Sequence, residues 1–284
     1  LYPWTHPDRW LAALLGLGAL AAGAVLVLVL GFLWLEAWPA LASGPGQFFH
    51  SRGWYPLEGQ FGLVPMLAAS LVIALGATAL AAPVGVANAL AIRFFLPASL
   101  ATGYRALLAL LAGMPSVVIG LWGLVTIVPI MARWQPPGAG LLTATVVLAL
   151  MILPTVALTS ASALANLPKD WLRGGAALGL SRWGVILRVA LPGARAGIGV
   201  GLLLALARAL GETLVVLMLA GNVVRMPSGL FEPVRALTAN IALEMAYAMD
   251  LHRSALFLSG LLLVLLVAAL ALLAHRWQGR QAAL

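Results

Sequence analysis

Leu141-Leu-Thr-Ala-Thr-Val-Val-Leu-Ala-Leu-Met-Ile-Leu-Pro-Thr-Val-Ala-Leu-Thr-Ser-Ala-Ser-Ala-Leu-Ala165 is a run of 25 residues without one charged side chain. As a helix it would be ~37 Å long, enough to cross a hydrocarbon core of about 30 Å. Working outward, comparable runs lie at Leu11–Leu35, Gly62–Ile92, Ala106–Met131, Ala194–Ala220 and Ala255–His275. Leu11–Leu35 exceeds the ~7–15 apolar residues of a cleaved signal, so it reads as an uncleaved helix. The chain begins at Leu1 and not at Met, so a few residues are expected to precede it. Pro83 and Gly85 predict that the long second span kinks or starts outside the bilayer.

Composition agrees with six spans. Of 284 residues, 63% are hydrophobic and 8% charged, and the mean hydropathy is +1.06. A soluble domain carries about 25% charged residues, so an ordinary water-soluble fold is excluded. The formal charge is +8, and there is no cysteine, which removes disulfides, thiolate metal sites and cysteine nucleophiles. In a chain this apolar, basic residues are better read as topology signals than as a nucleic-acid surface. Arg9, Arg93, Arg105, Lys169, Arg173, Arg182, Arg188, Arg195, Arg276 and Arg280 fall on one side, and Arg52, Arg133, Arg225, Arg235 and Arg253 on the other. The richer side is expected to be cytoplasmic, with both termini inside. Trp34, Trp38 and Trp54 then sit at the outer interface, and Trp10 and Trp277 at the inner one, as aromatic anchors.

Enzymatic chemistry finds little footing. The only lysine, Lys169, follows Pro168, so no phosphate-cradling P-loop exists in this chain. His6, His50, His252 and His275 are scattered without metal-ligand spacing, and no Gly-x-Ser-x-Gly elbow is present. No repeat of 20–50 residues is visible.

Two loops carry signal. In the cytoplasmic stretch 166–192, Trp171, Ala177 and Leu178 give a short helix an apolar face. Gly179 ends that helix and Ser181 can cap the next. Such a helix outside the bilayer implies a soluble partner with a groove, or a basic loop resting on anionic lipid. In the outer stretch 221–254, Leu237, Ile241, Met245 and Met249 recur at helical spacing, interrupted by Arg235, Thr238 and Glu244. This piece is too short and polar to span; it predicts a helix lying on the outer surface or dipping partway in.

Arg208 and Glu212 stand halfway along the fifth span, where an i, i+4 spacing on one helix would let them pair. A lone charge at that depth costs ~2.5–3.5 kcal/mol, so both are expected to face the bundle interior or a wet cavity. An ion pair that merely locks helices together is the alternative. Pro115 and Ser116 could open a kink in the third span, or simply pack. Asn88 and Thr78 read as interhelical polar contacts.

The segment from Arg173 to Pro192 resembles the EAA loop of binding-protein-dependent ABC importer permeases. Gly179, Val189, Leu191 and Pro192 hold that motif's spacing, while Arg173, Gly174 and Gly175 occupy its Glu-Ala-Ala positions. Gly113–Leu124, Ala207–Thr213, Ala220–Asn222 and Pro233–Glu244 further resemble the phosphate-importer permeases of the PstC family. The resemblance implies an all-α polytopic membrane protein with the MetI-like fold of type I importer permeases. It divides the chain into an N-terminal helix and outer loop (1–61), the permease domain (62–275) and a cytoplasmic tail (276–284). It implies no enzyme and no cofactor bound by this chain. ATP and Mg would sit on two copies of a PstB-like ATPase, beside a PstA-like second permease and a periplasmic PstS-like phosphate-binding protein. The membrane would be the bacterial inner membrane.

The same resemblance assigns roles. Arg208, Glu212, Ser116 and Thr213 are expected to line the phosphate path. Lys169, Asp170, Arg173, Gly179, Ser181 and Arg182 are expected to face the ATPase. Arg235, Thr238, Asn240 and Glu244 are expected at an outer gate or docking face, or as a solvated polar face. A permease for sulfate or molybdate, a secondary transporter without an ATPase, and a regulatory membrane protein stay open as alternatives.

Overall fold

The computed structural model describes residues 6–44, 46–50 and 53–282; the side chains of 6–9, 50 and 277–282 fall outside the description, as does Arg52. Arg9, Trp277 and Arg280 therefore have no side-chain account. The chain is almost wholly helical. α1 (His6–Ala42) and the short α2 (Gly46–His50) lead to a hairpin of β1 (Trp54–Tyr55) and β2 (Gln60–Phe61), in which Trp54 pairs with Phe61. α3 (Val64–Leu90) follows and runs on through a wider π turn to Phe95. Next come α4 (Ala98–Ala112), α5 (Ser116–Trp122), a π turn, α6 (Val128–Trp134) and α7 (Leu141–Ala165). α8 (Lys169–Ala177) and α9 (Arg182–Val185) precede α10 (Leu191–Leu210), α11 (Leu214–Leu219), α12 (Leu237–Glu244) and α13 (Asp250–Ala282). Six of these stretches are long and apolar enough to cross a membrane. The chain is a multi-pass membrane protein.

α7 is the centre and α1 the periphery: 67% of the apolar window of α7 is buried, against 0% for α1. Close approach at the centre depends on small residues. A Cβ on Gly85 would stand 2.6 Å from Val156, one on Gly197 2.5 Å from Ala163, and one on Gly201 2.3 Å from Thr159. Helices in lipid gain nothing by hiding leucine from leucine-like tails, so contact depends on backbones that can come this near. α1 packs chiefly along α13, where Ser254 accepts from the Ala40 N–H at 2.9 Å and donates to the Glu36 carbonyl at 2.7 Å.

Two expected spans are broken. The third, read as Ala106–Met131, is α4 followed by a separate helix from Ser116, because Pro115 supplies no N–H and disfavours helical backbone at Met114. The fifth, read as Ala194–Ala220, instead begins at Arg182 and stops at Leu210, with α11 a distinct piece beyond Gly211. Trp54 also departs from expectation. It is 6% exposed, inside the fold, and no interface anchor.

Candidate functional site

Arg208 occupies the last turn of α10, where unpaired carbonyls concentrate partial negative charge and favour a cation. Its NH2 donates to the carbonyl of Ala112, the last residue of α4, at 3.3 Å. Its NH1 donates to Thr155 Oγ1 on α7 at 3.5 Å. A helix C-terminus and a hydroxyl thus meet on one guanidinium, and its remaining donors are open, since the side chain is exposed on this chain. The two helices that resume after the breaks are clamped together. A Cβ on Gly120 of α5 would stand 2.8 Å from Met218 Sδ and 3.4 Å from Val215 Cα on α11.

Glu212 does not pair with Arg208. The i, i+4 geometry needs a continuous helix, and α10 has ended two residues earlier. The Glu212 carboxylate turns the other way and accepts the backbone N–H of Val215 at 3.3 Å, satisfying a free donor in the first turn of α11. Thr213 stays within the break, its hydroxyl donating to Gly211 O at 3.4 Å. Ser116 opens α5 on the far side of the Gly113–Pro115 break and is half-buried.

Residues 221–254 fold into the bundle and do not float on it. Thr238 donates to the Glu212 carbonyl at 3.0 Å, and the Leu237 N–H donates to Ser70 on α3 at 2.9 Å. Arg235 donates through NH1 to Asn240 Oδ1 at 3.0 Å and to Glu244 Oε1 at 2.7 Å, and through Nε to the Asn222 carbonyl at 2.9 Å. The other Glu244 oxygen receives the Trp54 indole N–H at 2.6 Å and meets His252 Nε2 at 2.9 Å. A buried carboxylate survives only with such partners. Trp54, Asn222, Arg235, Glu244 and His252 floor a cavity of about 800 Å³ that Tyr55 and Tyr247 also line. Of Arg235, Thr238, Asn240 and Glu244, three join in one network and Thr238 lies apart at the Glu212 break. Trp54, Asn222 and His252 were missed. Their partners lie far along the chain, so no local spacing announces them.

At the opposite end of α3 and α7, α8 is laid across the start of α10. The Trp171 ring fits over Gly193, where a Cβ would stand 3.2 Å away. Gly179 ends the helix at φ +78°, and Ser181 Oγ accepts the Gly184 N–H at 3.2 Å, as the sequence led one to expect. Gly175 is the one buried residue of α8. Lys169, Asp170, Arg173 and Arg182 all point outward; Arg173 lies 3.7 Å from Asp170, and Arg182 sits over the Phe95 ring at 4.5 Å. Leu178 is 85% exposed, an apolar knob with no cover from its own chain. Among the described residues no three His, Asp or Glu side chains converge on a metal-sized site.

Residues 81–283 match the family model described as binding-protein-dependent transport system inner membrane component. The chain is 33% identical to the probable ABC transporter permease protein YqgH of Bacillus subtilis, over 87% of this chain and 82% of that protein. It is 32% identical to the phosphate transport system permease protein PstC of Xylella fastidiosa (81% and 77% covered) and 32% identical to that of Mesorhizobium japonicum (85% and 82%). Among solved structures, it superposes on a chain of a bacterial alginate ABC transporter with TM-score 0.63 at 14% identity, covering 96% of both chains. A chain of the MetNI methionine ABC transporter gives TM-score 0.56 at 21% identity, with 76% and 92% covered. These two establish the MetI-type importer fold.

Proposed function

The chain belongs to the family of binding-protein-dependent transport system inner membrane components, and from that premise we propose that it is the permease subunit of an ATP-driven importer of inorganic phosphate. The observation that carries the substrate is Arg208, an arginine at the junction of two interrupted helices in an otherwise apolar bundle. A guanidinium stays charged and offers paired donors that match two oxygens of a tetrahedral oxyanion. Its exposure on the isolated chain suits a path whose other wall is a second, PstA-like permease. Glu212, tied to α11, would leave Arg208 free to receive the anion and keep negative charge nearby, so that the anion can also leave.

Energy would arrive from outside this polypeptide. α8 would seat in two PstB-like ATPase subunits holding ATP and Mg at the cytoplasmic face of the bacterial inner membrane, with both termini on that side. Arg182–Leu210 is one apolar helix of 29 residues, so a push on α8 and the start of this helix reaches Arg208 along a stiff rod. A periplasmic PstS-like protein would deliver phosphate at the end where Arg235 and Glu244 lie. The chain itself would bind no cofactor and catalyse no reaction.

The test is phosphate uptake into vesicles carrying all partner subunits. Arg208→Gln is expected to abolish uptake while the complex still assembles. Undiminished uptake would remove Arg208 from the path, and competition by sulfate or molybdate equal to that by phosphate would change the substrate.

A further inference from the structure

Four threonines in the helices share one habit, while Thr143 and Thr238 spend their hydroxyls on carbonyls of other segments, Gly138 and Glu212. Thr78, Thr102, Thr145 and Thr159 each return their hydroxyl hydrogen to the carbonyl four residues back, at 2.7–2.9 Å. This back-bond is the ordinary refuge of a hydroxyl in an apolar bundle. Thr155, one turn before Thr159 on the same helix, does not take it. Among the described residues its hydroxyl donates to nothing, and its oxygen accepts the Arg208 guanidinium at 3.5 Å. A hydroxyl that spends its lone pair on an arginine and holds its hydrogen unspent is a donor awaiting an acceptor.

We propose that Thr155 is a direct ligand of the transported anion, forming with Arg208 a two-residue oxyanion site at the α4–α5 break. The inference rests on the phosphate-permease reading and adds a residue from a different helix. Arg208 supplies the charge and is anchored from behind by the Ala112 carbonyl. Thr155 supplies an uncharged donor next to it, so an oxyanion can bridge guanidinium and hydroxyl. A neutral donor adds selectivity for an oxygen-rich ligand without the electrostatic trapping that a second cation would bring. The long 3.5 Å contact leaves room for the guanidinium to swing toward an entering ligand.

The experiment measures binding of radiolabelled inorganic phosphate to the assembled permease–ATPase complex in nanodiscs, without the periplasmic binding protein, so that only the membrane site is read. Thr155→Val keeps the side-chain shape and removes the hydroxyl; it is expected to weaken binding about tenfold. Thr155→Ser is expected to bind within about twofold of wild type, since a hydroxyl beside Arg208 is retained. Thr78→Val, which deletes a hydroxyl already committed to the Ala74 carbonyl, is expected to leave binding unchanged. Wild-type binding by Thr155→Val overturns the proposal, as does equal weakening in the Ser or Thr78 variant; Thr155→Ala replaces the valine variant should that complex fail to assemble. Arg208→Gln separates the two claims. Lost binding there with intact binding in Thr155→Val removes Thr155 alone, and intact binding in both removes the anion site altogether.

Discussion

The Thr238 hydroxyl of α12 donates to the Glu212 backbone carbonyl at 3.0 Å, which ties a helix of the 221–254 loop to the break in the fifth span. Thr238 is 9% exposed, and the bond it makes to that carbonyl is partly buried. Thr238→Val should leave that oxygen unpaired and destabilise the fold by about 1–3 kcal/mol, read as a lower melting temperature of the purified complex. Thr238→Ser should restore most of it. A valine variant as stable as wild type would mean that the tie carries no weight.

The Glu244 network makes a sharper prediction. Its buried carboxylate is matched against Arg235, His252 and Trp54 at the floor of the cavity. Glu244→Gln removes the charge and leaves the part-buried Arg235 without a counter-ion, a change expected to cost about 1.5–3 kcal/mol. Trp54→Phe deletes only the indole donor and should cost roughly 1 kcal/mol. Chemical unfolding of the two variants should therefore differ clearly, with the glutamine protein the weaker.

α8 can be strengthened. A Cβ on Gly174 would meet nothing within 4 Å, so alanine there gains helix propensity of about 1 kcal/mol without a clash. Gly174→Ala should raise protection of the α8 amides in hydrogen exchange. Gly179→Ala should do the reverse. Its φ of +78° costs an L-residue about 1–2 kcal/mol, so the end of α8 should fray.

Acid should loosen the loop before α12. The Ser228 hydroxyl, 2.6 Å from Glu232, and then Arg225, 2.5 Å away, hold that carboxyl below the usual carboxylate value of 4.5. A depressed folded value means stabilisation that is complete above the ordinary value and lost as pH falls through the depressed one. Protease susceptibility of residues 221–236 should thus rise only below pH 4.5, and Ser228→Ala should shift that rise to higher pH.

Much of this was legible in the residues. Hydropathy located six crossings, because a bilayer demands long uncharged runs wherever backbone crosses it. Gly179 and Ser181 marked the end of α8 and the start of α9, because caps are local chemistry. The breaks at Gly113–Pro115 and Gly211–Thr213 were harder. A hydropathy average passes smoothly over three residues, and Glu212 on an assumed helix fell into a pairing with Arg208 that the real backbone forbids. Trp54 was misplaced for another reason: its partner lies 190 residues further along, and only the folded chain brings them together.

One tether of Arg208 is a main-chain oxygen, so no side-chain replacement at position 112 can delete it. What sets its position is arithmetic, namely how many residues α4 runs before it stops. A single alanine inserted between Ala98 and Ala112 would advance the terminal carbonyl by 1.5 Å and swing it by about 100°. The separation of charge from carbonyl is thus gauged by a ruler of fixed length, which tolerates respelling and not recounting.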